Sequence, residues 1–180
     1  MKANGIKALS FTLLLWLLFL PTTVAWAIPI ESVPNPRRAN GTWVSDVANI
    51  LSADTELRLN HQISQLEQLN GSEIAVVTVP DLAPCDSSKT YATSLFNTWG
   101  IGKRGIDNGV LLLIAVKERR LEIETGRGIT PHLSNEQVAQ IIASQIKPQL
   151  QVQNFDRGVL DGVTAIADRL AAISYAPTDF

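Results

Sequence analysis

Trp99–Gly128 reads WGIGKRGIDNGVLLLIAVKERRLEIETGRG. From Val110 to Val116 it is a nearly unbroken apolar run, with no polar residue to mark a solvent side. Asp107-Asn108-Gly109 stands before the run and Lys117-Glu118 after it. A bounded apolar run of this length predicts a strand covered on both faces. Downstream the pattern changes: Leu121 and Ile123 alternate with Glu122 and Glu124, the period of a strand with one face in water. Lys117 to Arg120 is short and charged, so the two strands are expected to form an antiparallel hairpin. Asp107, Asn108 and Gly109 should then lie beside Gly126, Arg127 and Gly128. Glycine at such a corner permits backbone approaches that other residues resist, and the corner is the first place to look for a site.

On the amino-terminal side, Ser52 is a suitable N-cap for a helix carrying Leu59, Ile63 and Leu66 at helical spacing. Asn70-Gly71 ends it as a left-handed cap would. Glu73 to Val79 predicts a strand, stopped by Pro80, and Ser88 to Trp99 a second helix with Tyr91, Leu95 and Trp99 on one face. On the other side, Ser134-Asn135-Glu136-Gln137 matches a capping box. Val138, Ile141, Ile142 and Ile146 form the stripe of a third helix, expected to close at Pro148. Asn154 or Asp156 opens a fourth, lined by Val159, Val163, Ile166 and Leu170. Strands separated by amphipathic helices predict an α/β protein: a three-layer α/β/α sandwich whose mixed sheet contains a central antiparallel hairpin.

The 180 residues are 46% hydrophobic and 18% charged, which suits one globular domain plus extras. Lys2 and Lys7 precede an apolar stretch from Ala8 to Leu20, interrupted by Ser10 and Thr12, then Pro21 and Ala25-Trp26-Ala27. This is the layout of a secretory signal peptide over residues 1–27, too short for a span of roughly 20 apolar residues. A retained amino-terminal anchor is the alternative. Removing those 27 residues, two of them lysines and none acidic, leaves 153 residues and moves the formal charge from −2 to −4. A mildly acidic chain without a basic tract does not suit nucleic acid. No second long apolar segment occurs, so the mature chain is expected to have no transmembrane segment; peripheral membrane association stays open. Cys85 has no internal disulfide partner and reads as a loop thiol. Residues 28–42, with Pro29, Pro34 and Pro36, read as an extended leader without its own core; the domain covers 43–173 and a loose tail 174–180.

Catalytic signals are sparse. His61 and His132 are too few for a zinc site, and His61 reads as a surface residue. Gly100, Gly102 and Gly105 have a dinucleotide-loop spacing but follow a helix and precede a strand, the reverse of the required context. Carboxylates remain. Asp46 lies in an otherwise apolar segment, and Asp107-Asn108 opens the buried strand. Their oxygens suit a hard cation such as calcium or another divalent ion. The alternative makes Asp107-Asn108 turn chemistry and Asp46 an acceptor for backbone amides where a helix opens. Arg127 offers a fork of donors to a phosphate, or equally to Asp107. Glu122 and Glu124 read as a solvated strand face.

Val44-Ser45-Asp46-Val47-Ala48-Asn49-Ile50-Leu51-Ser52, the strand Ile74 to Val79, and Leu95-Phe96-Asn97-Thr98-Trp99-Gly100-Ile101-Gly102 carry a resemblance. So do Asp107-Asn108-Gly109-Val110-Leu111-Leu112 and Ile123-Glu124-Thr125-Gly126-Arg127-Gly128-Ile129. In order and spacing, over nearly all of Trp43 to Ala172, the chain resembles the TPM-domain family. The resemblance implies an α/β sandwich. It is nearest to the cyanobacterial and thylakoid-lumen members that assist photosystem II repair and protection from photodamage, with photosystem II components as partners. Some members are described as calcium-associated acid phosphatases, which is the alternative function; animal relatives use the domain as a binding module. The acidic family positions matched here are Asp46 and Asp107, with Asn108 adjoining. The implied location is the thylakoid lumen, with the periplasm as alternative. A mature chain beginning at Ile28 is expected. Intact mass of the protein from its native compartment checks this, and a species retaining Met1–Ala27 would contradict it.

Overall fold

The computed structural model describes residues 29–83, 85 and 87–175. The signal peptide expected over residues 1–27 and the tail beyond Tyr175 lie outside the described residues. A 3₁₀ turn at Ile30–Ser32 and a short helix, α1 (Pro36–Ala39), lead into β1 (Val44–Asp46). Then come α2 (Ala53–Asn70), β2 (Glu73–Val79), α3 (Ser88–Trp99), β3 (Gly109–Ala115) and β4 (Arg120–Thr125). The chain ends with α4 (Asn135–Ile141), a π-helical segment Ile142–Ile146, α5 (Lys147–Gln151) and α6 (Phe155–Ala171).

Strand order is β1-β2-β3-β4, with β1, β2 and β3 parallel and β3–β4 the antiparallel hairpin. All seven residues of β3 are buried. Val110, Leu112 and Ile114 join a core with Leu59, Ile63 and Leu66 of α2 and Val159, Val163, Ile166 and Leu170 of α6. Leu111, Leu113 and Ala115 face Tyr91, Ala92 and Leu95 of α3. The expected three-layer sandwich is therefore present. The caps follow the sequence: Ser52 accepts from Thr55 N–H, Ser134 forms a capping box with Gln137, and Asn154 accepts from Arg157 N–H. Gly71 and Gly100 end α2 and α3 in the left-handed region.

One feature of the topology is unusual. The step from β1 to β2 passes through α2 on one face, and the step from β2 to β3 passes through α3 on the other. Both steps move the same way across the sheet, so the crossovers have opposite hands and one is left-handed, against the strong right-handed preference.

Four expectations change. Glu122 and Glu124 do not form a solvated face: Glu122 accepts from Ser88 Oγ at 2.6 Å, and Glu124 accepts from Thr93 Oγ1 at 2.8 Å and pairs with Lys89 at 2.7 Å. Alternation reports only which residues share a side, and here α3 lies on the polar one. Pro148 does not close the third helix. The wider π turn at Ile142–Ile146 precedes it, so the helical path continues to Gln151 despite the missing proline N–H. The leader is not extended throughout: Pro36–Ala39 is helical, and Val33 and Pro36 are buried. Tyr175 is not loose either: its hydroxyl meets Ser72 Oγ at 2.9 Å.

The hairpin corner forms as the sequence implied. Gly126 N–H donates to the Gly109 carbonyl at 2.8 Å and Gly128 N–H to the Asp107 carbonyl at 3.0 Å. A Cβ on Gly126 would stand 2.1 Å from the Asp107 oxygen, and one on Gly128 1.9 Å from the Ile106 oxygen. Backbone crosses backbone here with no room for a side chain. Gly128→Ala is expected to lower stability by about 1–3 kcal/mol, the range for overpacking. Urea denaturation checks it, as a lower midpoint with an unchanged slope.

Candidate functional site

The carboxamide of Asn108 is fully buried. Its Oδ1 accepts from Lys103 N–H at 2.8 Å, and its Nδ2 donates to the Gly71 carbonyl at 2.9 Å. Its backbone carbonyl accepts from Glu73 N–H at 3.1 Å. One residue, through its side chain and its carbonyl, thus ties the end of α2, the glycine-rich loop and the start of β2 together. Beside it Asp107 adopts φ 53, a left-handed conformation that Asp and Asn tolerate better than most residues. Arg127 Nε and Nη2 each reach Asp107 Oδ2 at 3.0 Å. The Arg127 side chain is 94% exposed, so the pair stands in water, where such pairs contribute little stability.

Asp46 lies elsewhere. It is level with Thr78 of β2 and Ile114 of β3, whereas Gly109, just after Asp107 and Asn108, is level with Glu73. Five residues of β2 separate the two levels, about 16 Å along the strand. The structure brings Asp107, Asn108 and Arg127 together and leaves Asp46 at the opposite end of the sheet. Asp46 Oδ1 accepts from Thr78 Oγ1 and from Ile50 N–H at 3.2 Å, and Oδ2 from Leu51 N–H at 2.9 Å. It thus serves the backbone where the chain turns toward α2. Burial, and then the Asp46 charge, push the Glu56 carboxyl above its ordinary value. Among the described residues, no group of three or more His, Cys, Asp or Glu is placed to hold a metal ion. His61 is exposed on α2, as its polar surroundings implied.

Two charged clusters escaped the sequence reading. At the amino end of the sheet, Lys103 Nζ lies 2.8 Å from both Glu67 and Glu73, and Arg37 reaches Glu67 at 2.6 Å. Burial lowers the Lys103 ammonium, but the two carboxylates outweigh it and hold the group above its usual value. The available signal was Glu73, a carboxylate opening an otherwise apolar strand, which calls for a cation. At the carboxyl end, the buried Asp81 pairs with Lys117 of the hairpin turn and accepts from Ala83 N–H at 2.9 Å. Leu82 N–H donates to Glu118 at 3.4 Å. These contacts fasten the β3–β4 turn to the loop before α3.

The Lys117 ammonium, and then the Ala83 amide, hold the Asp81 carboxyl below its usual range. A lowered folded value stabilises the protein fully above the unfolded carboxylate pKa, and that contribution is lost as pH falls through the folded one. Wild type is therefore expected to be more stable than Asp81→Asn at neutral pH, with the gap closing below about pH 4. Urea midpoints of both proteins across that range check it.

The model of the TPM domain matches residues 44–169. No curated protein matches the chain. Solved structures do. The N-terminal domain of a P. gingivalis protein is 29% identical with a TM-score of 0.73, covering 81% of this chain and 92% of that one. The BA42 protein of Bizionia argentinensis is 25% identical with a TM-score of 0.58, covering 67% and 81%. The N-terminal domain of a Corynebacterium glutamicum protein, 13% identical with a TM-score of 0.58 over 78% and 88%, shares the fold. The match over residues 44–169 takes in most of the chain, which belongs to the TPM-domain family.

Proposed function

We propose that this protein is an exported, non-catalytic accessory factor that binds photosystem II components during repair in the thylakoid lumen. One observation carries the non-catalytic part. The residues suited to a catalytic cation are already engaged and lie at opposite ends of the sheet: Asp46 serves backbone amides, Asn108 holds three segments, and Asp107 pairs with Arg127. A carboxylate set that polarises a phosphate ester through one ion needs its oxygens converging on one point. The compartment and partner rest on the signal-like amino terminus and on the family resemblance. No described helix is long and apolar enough to cross a membrane.

A deletion strain is expected to recover slowly from strong light and to be rescued by an Asp107→Asn, Arg127→Ala variant, with photosystem II activity as the readout. Rescue by wild type alone would sink the non-catalytic reading.

The alternative, a calcium-dependent acid phosphatase, draws on the hairpin corner. The Asp107 side chain is 37% exposed, and among the described residues its partner is the solvent-facing Arg127, which a phosphate could attract away. With so few charged ligands, calcium affinity there is expected at about 10⁻⁴–10⁻³ M. Calorimetry on wild type and Asp107→Ala decides: heat lost in the variant supports a cation at this corner, and identical titrations assign Asp107 to turn structure.

A further inference from the structure

We propose that the Asn40-Gly41 step is a modification site, at which Asn40 deamidates through a cyclic imide, and that the isoaspartyl product loosens the clamp holding the leader to the domain.

In this reaction the Gly41 backbone nitrogen attacks the side-chain carbonyl carbon of Asn40. A C–N bond forms, the attacking nitrogen gives its proton to solvent, and Nδ2 leaves as ammonia. Water then opens the five-membered imide at either carbonyl. One opening gives aspartate; the other gives isoaspartate, with the main chain rerouted through Cβ. The step needs a free carboxamide, an accessible nitrogen after it and room for the backbone to turn. Glycine, having no Cβ, crowds that nitrogen least.

Four Asn-Gly steps occur in the sequence, and the first, Asn4-Gly5, lies outside the described residues. The fold closes two of the others. Asn70 Nδ2 donates to the Leu170 carbonyl at 2.7 Å and the Ile173 carbonyl at 3.0 Å, and Gly71 N–H donates to the Glu67 carbonyl at 2.7 Å. Leaving group and nucleophile are both engaged there. Asn108 is fully buried with both ends of its carboxamide bonded, and a Cβ on Gly109 would stand 2.4 Å from the Ile101 oxygen. Asn40 and Gly41 differ: both are exposed, and a Cβ on Gly41 would meet nothing within 4 Å. Among the described residues the Asn40 side chain is held through Oδ1 alone, which leaves Nδ2 without a hydrogen bond.

That one tether acts as a brake. Asn40 has ψ 7, which turns the Gly41 nitrogen away from the Asn40 Cβ, so ring closure requires rotation about the Cα–C bond. Asn40 Oδ1 accepts from Thr42 N–H at 3.2 Å and from Thr42 Oγ1 at 2.6 Å, and these local bonds hold the unreactive geometry. The consequence of reaction follows from the place of Gly41. Arg37 Nη1 donates to the Gly41 carbonyl at 3.1 Å, while Nη2 reaches Glu67 at 2.6 Å and the guanidinium lies 4.1 Å from the centre of the Trp43 ring. A methylene added to the main chain just before Gly41 displaces that carbonyl and removes one of the three contacts by which Arg37 fastens the leader.

The test ages the purified chain at mildly alkaline pH and maps aspartate and isoaspartate at residues 40, 70 and 108 by peptide mass spectrometry. Product is expected first at residue 40, severalfold faster in Thr42→Val and nearly absent in Asn40→Gln, whose longer side chain does not form the five-membered ring. Brief trypsin treatment then reads the clamp, since cleavage follows the population of the opened segment. Aged wild type is expected to be cut after Arg37 or Arg38 faster than fresh protein, while ageing leaves Asn40→Gln unchanged. Fresh Asn40→Asp, which gains the charge without the methylene, should be cut like fresh wild type. No product at residue 40, earlier product at 70 or 108, or a Thr42→Val rate no faster than wild type would overturn the proposal. So would cleavage unchanged by ageing, or fresh Asn40→Asp cut as fast as aged wild type.

Discussion

Burial of β3 on both faces is the constraint on which the rest of the molecule depends. Each of its seven residues is inside, between α2 and α6 on one side and α3 on the other. A strand enclosed in this way has no place along its length for an ionisable side chain, because an unpaired charge there would carry a large desolvation cost. Polar groups are pushed to the strand ends. Asn108, the Lys103 cluster and the glycine crossing sit at one end, and Thr78, Asp46, Asp81 and Lys117 at the other.

These two ends are built differently. At the amino end, backbone packs on backbone, and a buried carboxamide supplies the bonds that side chains cannot reach. At the carboxyl end, the opposite hands of the two crossovers send the loops after β1 and β2 to opposite faces. Open α/β sheets commonly hold ligands where neighbouring loops part like this. Here Asp46 reaches Ile50, Leu51 and Thr78 across that region. The acid at the place where ligands are commonly held therefore acts as a brace for the backbone.

The leader, clamped by Val33 and by Arg37 between Glu67 and Trp43, lies against the end of α3 and encloses space that neither segment encloses alone. On this side Arg37 and Lys103 are matched within the fold by Glu67 and Glu73.

Much of the fold was legible in the amino-acid order, because its signals are local. Ser52, Ser134 and Asn154 cap helices through amides a few residues away, and the apolar run of β3 marks two-sided burial directly. The hairpin brought Asp107 to Arg127 by adjacency alone. What lies across layers was not legible. No period in the sequence records that α3 covers Glu122 and Glu124, or that Val33 enters the core. Nor does it record that a π turn carries the helix past Pro148. The distance from Asp46 to Asp107 was likewise undetermined. Both acids border apolar strands, and only the parallel register of β1 on β2 and β2 on β3 sets them at opposite ends. Sequence by itself determined the main elements and the two-sided burial of β3, since those follow from neighbours along the chain. Beyond the Asp107–Arg127 pair of the hairpin, tertiary structure alone decided which polar groups come together, since that follows from strand order and register.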